Sequence, residues 1–214
     1  MDSVLSKVEI TLIIQKLNNK LKTSVLPGIE AHKTMIPIFP ENPPDYFAKD
    51  LVLKEAAVLV LLFVENDSLK TVLIERAPDA GPHSGQIAFP GGRREPEDID
   101  LIDTAIRETF EEIGVQVNRD NCIGILTPIA IPISSFSVSP VVVFVDKPLG
   151  FTLTPDEVKQ IYVLDLIELL SNEKSKKIVV RGMTIDAPGF EFENGFIWGA
   201  TAMVLKEIKE IIFI

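Results

Sequence analysis

Three glutamates, Glu108, Glu111 and Glu112, lie within five residues of one another. At about 100° per residue in an α-helix, their side chains fall within an arc of about 100° on one face. Like charges at this spacing oppose helix formation, and anions near the C-terminal end of a helix are also disfavoured. A divalent cation would offset this repulsion, because hard cations take carboxylate oxygens as ligands. The pattern therefore predicts a binding site for Mg²⁺ or Mn²⁺.

The rest of this predicted helix has a packing stripe and an acidic start. The stripe that adjoins the glutamates consists of residues able to pack on a core: Ala105, Ile106, Thr109, Phe110 and Ile113. Asp98 and Asp100 precede the helix, where acidic side chains cap free N–H groups and complement the helix dipole. We expect Asp100 to be the cap, and Asp98 to be a second acid that could reach the metal through water. Arg107 is expected to pair bidentately with a carboxylate.

The segment around this helix resembles the Nudix box, which runs from a glycine through an acidic residue to R-E-x-x-E-E-x-G and an apolar residue. Residues 91–115 read GGRREPEDIDLIDTAIRETFEEIGV. The stretch from Asp98 to Arg107 is one residue longer than in the standard box, and Thr109 stands where an aliphatic residue is usual. The resemblance implies a Nudix-type α/β/α sandwich around a mixed β-sheet. It also implies hydrolysis of a nucleoside diphosphate derivative, with the three glutamates as metal ligands and Arg107 orienting a carboxylate.

Residues upstream of the box resemble the coenzyme A diphosphatase branch of that family. The chain keeps nine residues of the branch signature: Arg76, Ala77, His83, Gly85, Gln86, Phe89, Pro90, Gly91 and Gly92. Further similarity near Glu157 and over residues 197–202 extends the resemblance to about residues 54–206. It implies hydrolysis of coenzyme A or its acyl derivatives to 3′,5′-ADP and 4′-phosphopantetheine. The substrate-binding residues that it implies are Arg76, His83, Gly91 and Gly92.

Two positions depart from the branch signature and keep a second substrate class open. Ile74 stands where threonine is usual, and Gly81 stands where a second arginine is usual. The loss of a cation beside an anionic substrate bears on specificity rather than on the hydrolytic chemistry. ADP-ribose, NADH or another nucleoside diphosphate derivative is therefore the alternative substrate. A third interpretation is a non-catalytic nucleotide-binding regulatory module, but such a module has no need of three mutually repelling acids.

The expected reaction is metal-assisted attack of water on phosphorus. Mg²⁺ or Mn²⁺ held by the three glutamates would bridge the diphosphate and lower the pKa of a bound water. A general base must collect the proton, and the residues leave two candidates, Glu112 and Glu157. Glu111 and Arg107 complete the predicted catalytic set.

The composition agrees with one acidic catalytic domain. The chain has 214 residues, of which 46% are hydrophobic, and a formal net charge of −10. This charge argues against a nucleic-acid-binding surface or a binder of anionic membranes, so we expect a small-molecule nucleoside diphosphate derivative as the partner. The single cysteine, Cys122, is expected to be a small buried hydrophobe. The absence of a membrane-length apolar stretch and of a basic signal-peptide start predicts a cytoplasmic protein. The oligomeric state stays open, with a homodimer as one option.

The pattern of apolar residues predicts alternating strands and helices. Residues 1–50 are predicted to form a helix at 3–21 and a Pro-rich arm packed on the domain, with His32 on the surface. Residues 51–214 are predicted to form the catalytic domain. Within it we expect a hairpin of residues 56–64 and 71–75, strands at 86–89, 115–117, 123–131 and 138–145, and helices at 164–170 and 198–211.

Overall fold

The computed structural model describes residues 5–23, 25–40, 52–78, 83–147, 149–180 and 182–213. The helices in these ranges are α1 (Lys7–Leu21), α2 (Gly28–Lys33), α3 (Leu101–Ile113), α4 (Leu166–Ser171) and α5 (Ala200–Phe213). The strands are β1 (Lys54–Glu65), β2 (Ser68–Arg76), β3 (Ile87–Ala88), β4 (Gly91–Arg93), β5 (Cys122–Ile125), β6 (Ile129–Ile131), β7 (Phe136–Val145), β8 (Val158–Asp165), β9 (Glu173–Val180), β10 (Met183–Phe192) and β11 (Gly195–Trp198). Gly81 and the last part of the predicted Pro-rich arm lie outside the described residues.

A mixed sheet with β1 near its centre forms the middle layer of the fold. Its strand order is β3-β2-β1-β7-β5, with β4 paired to β1, β6 to β7 and β8 to β2. β1 and β7 run parallel, whereas β1 and β2 form an antiparallel hairpin in which Leu62 lies opposite Thr71. The predicted hairpin is therefore confirmed. Its turn residues, Asn66 and Asp67, have φ angles of 51° and 54°, the left-handed backbone that a two-residue hairpin loop requires.

Helices cover both faces of this sheet, and the side chains of β1 show why. Successive side chains in a strand point to opposite faces. Leu61 and Phe63 pack in the core that includes Ile113 of α3. Val60 and Leu62 pack in the other core, which contains much of α5 and parts of α1 and α4. Because both faces of the strand are apolar, each face needs its own helical layer, and the predicted α/β/α sandwich is confirmed.

A second, antiparallel sheet follows in the order β11-β10-β9. The sequence analysis predicted neither this sheet nor strand β8. Strand β9 reads EKSKKIVV, and its lysines interrupt the apolar alternation by which a half-buried strand is recognised. Lys174 and Lys176 instead form ion pairs with Glu191 on the neighbouring strand. Ion pairs between β9 and β10 therefore help to hold this sheet together, and they form only when the two strands are paired.

Three predicted elements differ from the structure. Val115 and Val117 are buried but unpaired, so the predicted strand at 115–117 is wrong. The predicted strand at 123–131 is divided into β5 and β6, which pair with different parts of β7. The predicted helix at 164–170 begins later, as α4, because Asp165 ends β8 and caps the helix by accepting the Glu168 N–H at 2.9 Å. Cys122 was expected to be buried, but it is half-buried beside the core that includes Ile113 of α3.

The N-terminal segment packs on α5, and it also contacts β5 through α1 and β10 through Ile38. Helix α1 begins with a capping box of Ser6 and Glu9, and the predicted N-terminal helix is confirmed. The predicted surface position of His32 is wrong, because this side chain in α2 is only 2% exposed. Its Nε2 lies 3.0 Å from the Glu207 carboxylate of α5, which also accepts the Thr127 hydroxyl at 2.7 Å. A buried carboxylate requires polar partners, and His32 is one of them.

Candidate functional site

Helix α3 carries the acidic cluster, and its two ends determine where the cluster lies. Asp100 caps the start as predicted, with its carboxylate accepting the Ile102 N–H at 2.9 Å and the Asp103 N–H at 3.2 Å. Gly114 ends the helix in the left-handed conformation with φ 68°, which glycine adopts without strain. The three glutamates of the cluster therefore lie in the C-terminal half of the helix.

The buried face of α3 differs from the predicted face at two positions. Phe110 was expected to pack, but its side chain is 53% exposed. Glu112 was expected to present its carboxylate outward, but it is only 2% exposed. Thr109 and Ile113 of the predicted stripe are buried. The buried face is thus rotated toward Glu112, because the preceding loop brings the Gly91 N–H to this carboxylate.

The Glu112 carboxylate lies between a backbone donor and a cation. The Gly91 N–H donates to Oε2 at 2.8 Å, and Nη1 of Arg76 lies 3.5 Å from Oε1. Burial raises the pKa of Glu112 to about 7, although the Gly91 hydrogen bond and the Arg76 charge both lower it. The negative charges of Glu108 and Glu157 add to the increase. The Glu157 backbone is tied to the end of α3 through Thr154, whose N–H donates to the Glu112 carbonyl at 3.0 Å and whose carbonyl accepts the Glu157 N–H at 3.2 Å.

Glu108 lies against the glycine turn that precedes the helix. A Cβ atom on Gly92 would stand 2.3 Å from Oε2 of Glu108, so any larger residue would displace this carboxylate from its present place. Burial raises the pKa of Glu108, whereas its hydrogen bond with Arg107 lowers it. The charges of Glu111 and Glu157 raise it further. Strand β4 thus places both of its glycines beside a carboxylate of α3.

Arg107 joins the acidic cluster to the loop before the helix. Its Nε and Nη2 donate to the two oxygens of Asp98, each at 3.0 Å, and Nη1 donates to Glu108 and Glu111 at the same distance. The predicted bidentate pairing of Arg107 is therefore confirmed. This pairing holds the pKa of Asp98 well below its usual range. Asp98 also accepts the Thr104 hydroxyl at 2.9 Å, so its oxygens are engaged within the loop and helix.

Two further segments complete the surroundings of the cluster. The Glu157 carbonyl accepts the Ala77 N–H at 2.9 Å, which ties the Glu157 segment to the end of β2 beside Arg76. The Gln86 carbonyl accepts the Arg76 N–H at 3.1 Å, and the Gln86 side chain lies 3.0 Å from Nδ1 of His83. The structure thus gathers Arg76, Glu157 and both glycines around α3, whereas the described polar contact of His83 is to Gln86.

The donor chemistry of the cluster suits a hard divalent cation, because carboxylate oxygens are the ligands such ions prefer. Within the described ranges, however, no three acidic, His or Cys side chains converge into a ready metal site. The physical reason is Arg107, which holds Glu108 and Glu111 through one nitrogen while Glu112 is turned to Gly91. Nη1 of Arg107 contacts one oxygen of each carboxylate, Oε1 of Glu108 and Oε2 of Glu111, which leaves the second oxygen of each outside this contact.

The sequence matches the family model of the NUDIX domain over residues 53–181. The chain belongs to the Nudix family. The family resemblance inferred from the glycine turn and the acidic helix is thereby confirmed. Hydrolysis of phosphoric anhydride bonds is the class of activity that Nudix membership supports for this chain.

Relatives and one solved structure agree with the Nudix membership. The uncharacterized Nudix hydrolase NudL from Yersinia pestis strain Pestoides F and the NudL protein from Yersinia pseudotuberculosis strain IP 31758 are each 31% identical over 159 residues. Each match covers 73% of this chain and 79% of the relative. A MutT/nudix family protein from Enterococcus faecalis has a TM-score of 0.56 at 17% identity, covering 97% of this chain and 75% of its own. That structural likeness concerns the Nudix fold.

One contact of the acidic helix was not predicted from the sequence. The Thr154 hydroxyl donates to the Glu111 carbonyl at 2.5 Å. The only local signal was a threonine before Pro155, which indicates a turn rather than a contact with α3. None of the helices in the described residues combines the length and the apolar character needed to cross a membrane.

Proposed function

We propose that this chain is a metal-dependent Nudix hydrolase that cleaves the diphosphate of coenzyme A or its acyl derivatives. The products would be 3′,5′-ADP and 4′-phosphopantetheine. The observation that carries the hydrolase proposal is the placement of Glu112, which is buried against the Gly91 N–H with Arg76 beside it and Glu108 and Glu157 nearby. A carboxylate cluster of this density is costly without a cation, because burial and mutual repulsion both disfavour the charged forms.

Glu108, Glu111 and Glu112 are the residues that would hold Mg²⁺ or Mn²⁺. When bound, such an ion polarises phosphoryl oxygen and lowers the pKa of a coordinated water. The role of Arg107 is to position Glu108 and Glu111, because its guanidinium contacts both and is anchored by Asp98. Anchored donors hold a site in place at small entropic cost.

Four residues are proposed to bind the anionic substrate. Arg76 presents a guanidinium that is about one-third exposed beside the cluster, so it can donate to phosphate oxygen. Gly91 and Gly92 lie beside the cluster, where the Gly91 N–H meets Glu112 and Gly92 lies against the Glu108 carboxylate. His83 lies in the signature loop and is held by Gln86. Together they would bind the diphosphate on the side of the cluster that faces β2.

Glu157 is proposed as the general base, with Glu112 as the second candidate. Both Glu112 oxygens have partners, since Oε2 accepts the Gly91 N–H and Oε1 faces Arg76. Glu157 is exposed, and its charge acts on both Glu108 and Glu112. An accessible carboxylate near the cluster can accept the proton of an attacking water while the three glutamates of α3 serve as ligands.

The coenzyme A assignment rests on the signature residues that surround Arg76 and His83. The second candidate substrate is ADP-ribose, NADH or another nucleoside diphosphate derivative, and Gly81 is the feature that favours it, because a cation is missing there. A non-catalytic nucleotide-binding module is the third candidate. It predicts binding without turnover.

Incubation of the purified chain with Mg²⁺ or Mn²⁺ and a substrate panel would separate these candidates. The panel contains coenzyme A, acetyl-coenzyme A, ADP-ribose, NADH and diadenosine polyphosphates, and mass spectrometry identifies the products. Release of 4′-phosphopantetheine and 3′,5′-ADP is the expected result. AMP from ADP-ribose or NADH alone would replace coenzyme A by the second class, and absence of turnover throughout would overturn the hydrolase proposal. The Glu112→Gln variant is the control, because it should lose turnover while retaining its fold.

A further inference from the structure

The segment of residues 152–158 is fastened to the C-terminal end of α3. The Thr152 N–H donates to the Ile113 carbonyl at 2.9 Å, and the Thr154 N–H donates to the Glu112 carbonyl at 3.0 Å. The Thr154 hydroxyl donates to the Glu111 carbonyl at 2.5 Å. The last four carbonyls of a helix have no partner within the helix, so these bonds supply donors that the helix lacks. Two of the three come from Thr154, and both reach residues of the acidic cluster.

The same threonine is also the start of the turn that carries Glu157. The Thr154 carbonyl accepts the Glu157 N–H at 3.2 Å and the Val158 N–H at 2.9 Å. At its other side, the Glu157 carbonyl accepts the Ala77 N–H at 2.9 Å. The backbone of Glu157 is therefore held from two directions, by Thr154 at the end of α3 and by Ala77 at the end of β2.

We propose that Thr154 is a positioning residue for the hydrolysis, because it sets the place of Glu157 relative to Glu108 and Glu112. This inference rests on the proposed function and on Glu157 as the base. Thr154 acts through its hydroxyl and backbone, and it does not touch the substrate or the metal. Glu157 is exposed on a turn, where a side chain has considerable freedom. A bond from Thr154 to the ligand-bearing helix removes part of that freedom and makes the two parts of the site move together.

The first test compares valine and serine at position 154. Thr154→Val removes the hydroxyl at nearly constant shape, whereas Thr154→Ser keeps it. We expect Thr154→Val to lower kcat by about tenfold or more with little change in KM, since small displacements of catalytic groups have effects of this size. Thr154→Ser should stay near the original kcat. Thr34→Val is the matched control, because the Thr34 hydroxyl likewise donates to a helix carbonyl, that of Ala31 at 2.7 Å, away from the site.

The second test asks whether Thr154 acts through Glu157. In a double-mutant cycle, Thr154→Val should lower kcat in the original chain but have almost no further effect in a Glu157→Gln background. If Thr154 had only a structural role, the kcat losses of the two single variants would multiply in the double variant. Mn²⁺ binding, followed by electron paramagnetic resonance, should be unchanged within about twofold in Thr154→Val, because the ligand-bearing carboxylates keep their places. Thr154→Ala serves as a second variant if the valine variant does not fold.

The outcomes separate this inference from the proposed function. Turnover by the original chain, with a kcat loss in Thr154→Val that vanishes in the Glu157→Gln background, supports the positioning role. If the chain turns over substrate but Thr154→Val behaves like Thr34→Val, the positioning role is overturned and the hydrolase proposal stands. Losses that multiply, or weakened Mn²⁺ binding, would show that Thr154 supports α3 rather than Glu157. A chain without turnover would remove both proposals.

Discussion

Arg107 and Asp98 form a two-bond pair across the turn that leads into α3. Nε and Nη2 of the guanidinium lie 3.0 Å from the two carboxylate oxygens. The remaining nitrogen of Arg107 contacts both Glu108 and Glu111. One guanidinium therefore connects the loop before the helix to two members of the acidic cluster. Because Asp98 holds it from the loop side, the direction in which Arg107 presents its third nitrogen depends on Asp98.

Replacement of Asp98 by asparagine is expected to lower the free energy of unfolding by about 2 kcal/mol, because hydrogen bonds with a charged partner are lost in a buried place. Chemical denaturation of the metal-free chain measures this loss. Asp103→Asn is the control on the same helix, where the ion pair with Arg119 is more exposed and should contribute less than about 1 kcal/mol. Equal losses in the two variants would contradict the importance of the Asp98 pair.

The free energy of unfolding should depend on pH through the titration of the Glu112 carboxyl group. Burial raises the pKa of Glu112 from 4.5 to about 7, so between these values the folded chain keeps a proton that the unfolded chain has lost. The contribution of Glu112 to the free energy of unfolding therefore falls as pH rises through this window and is lowest above it. Glu112→Gln removes the titration.

We expect Glu112→Gln to gain stability relative to the original chain by about 3 kcal/mol between about pH 4 and pH 8. Chemical denaturation of both proteins in the presence of a chelator, at several pH values in this range, measures the difference between their free energies of unfolding. The titrations of the other carboxyl groups are common to both proteins and cancel in this difference. Mg²⁺ should reduce the difference at the higher pH by stabilising the charged Glu112 of the original chain. A difference that does not change with pH would show that Glu112 is not held in this environment.

Replacement of the two glycines of β4 by alanine should affect stability to different extents. A Cβ on Gly91 would lie 2.3 Å from the Ala57 backbone oxygen, and its φ of 148° disfavours other residues. Gly91→Ala should therefore cost about 2–3 kcal/mol of stability. A Cβ on Gly92 would meet only the end of the Glu108 side chain, which can rotate. Gly92→Ala should keep most of the stability but weaken Mn²⁺ binding and turnover.

Gly85→Ala is the control for backbone strain at these positions. Its φ is 67°, and nothing lies within 4 Å of the added Cβ, so it should cost only about 1 kcal/mol. Thermal denaturation measures the stability of each variant, and electron paramagnetic resonance measures its binding of Mn²⁺. If Gly92→Ala destabilises the fold as much as Gly91→Ala while Mn²⁺ binding is kept, the proposed place of Glu108 beside Gly92 is wrong.

The buried carboxylate of Glu207 should be a major source of stability away from the site. It is 0% exposed and is bonded by His32 at 3.0 Å and the Thr127 hydroxyl at 2.7 Å. Glu207→Ala leaves these buried partners unsatisfied and is expected to cost about 3 kcal/mol. Glu210→Ala, one turn later, removes only a weak pair with Lys206 at 4.0 Å and should cost less than about 1 kcal/mol. Similar denaturation midpoints for the two variants would refute the assignment.

The sequence by itself determined the local features of this protein. The cap at Asp100 and the hairpin turn at Asn66 and Asp67 were both readable, because each depends on residues a few positions apart. The spacing of the carboxylates in α3 was readable for the same reason. So was the Nudix family, whose motif is a continuous run of residues.

Only the tertiary structure decided which groups those residues meet. Glu112 is buried because Gly91, 21 residues away, donates to it. Thr154 reaches α3 across 43 residues, and His32 meets Glu207 across 175. Residue types and helical periodicity carry no information on such distant partners, so Phe110 was assigned to the core and His32 to the surface. Burial and hydrogen bonding follow from the packing of the layers, which is why the charges of the site could be listed from the sequence but their environments could not.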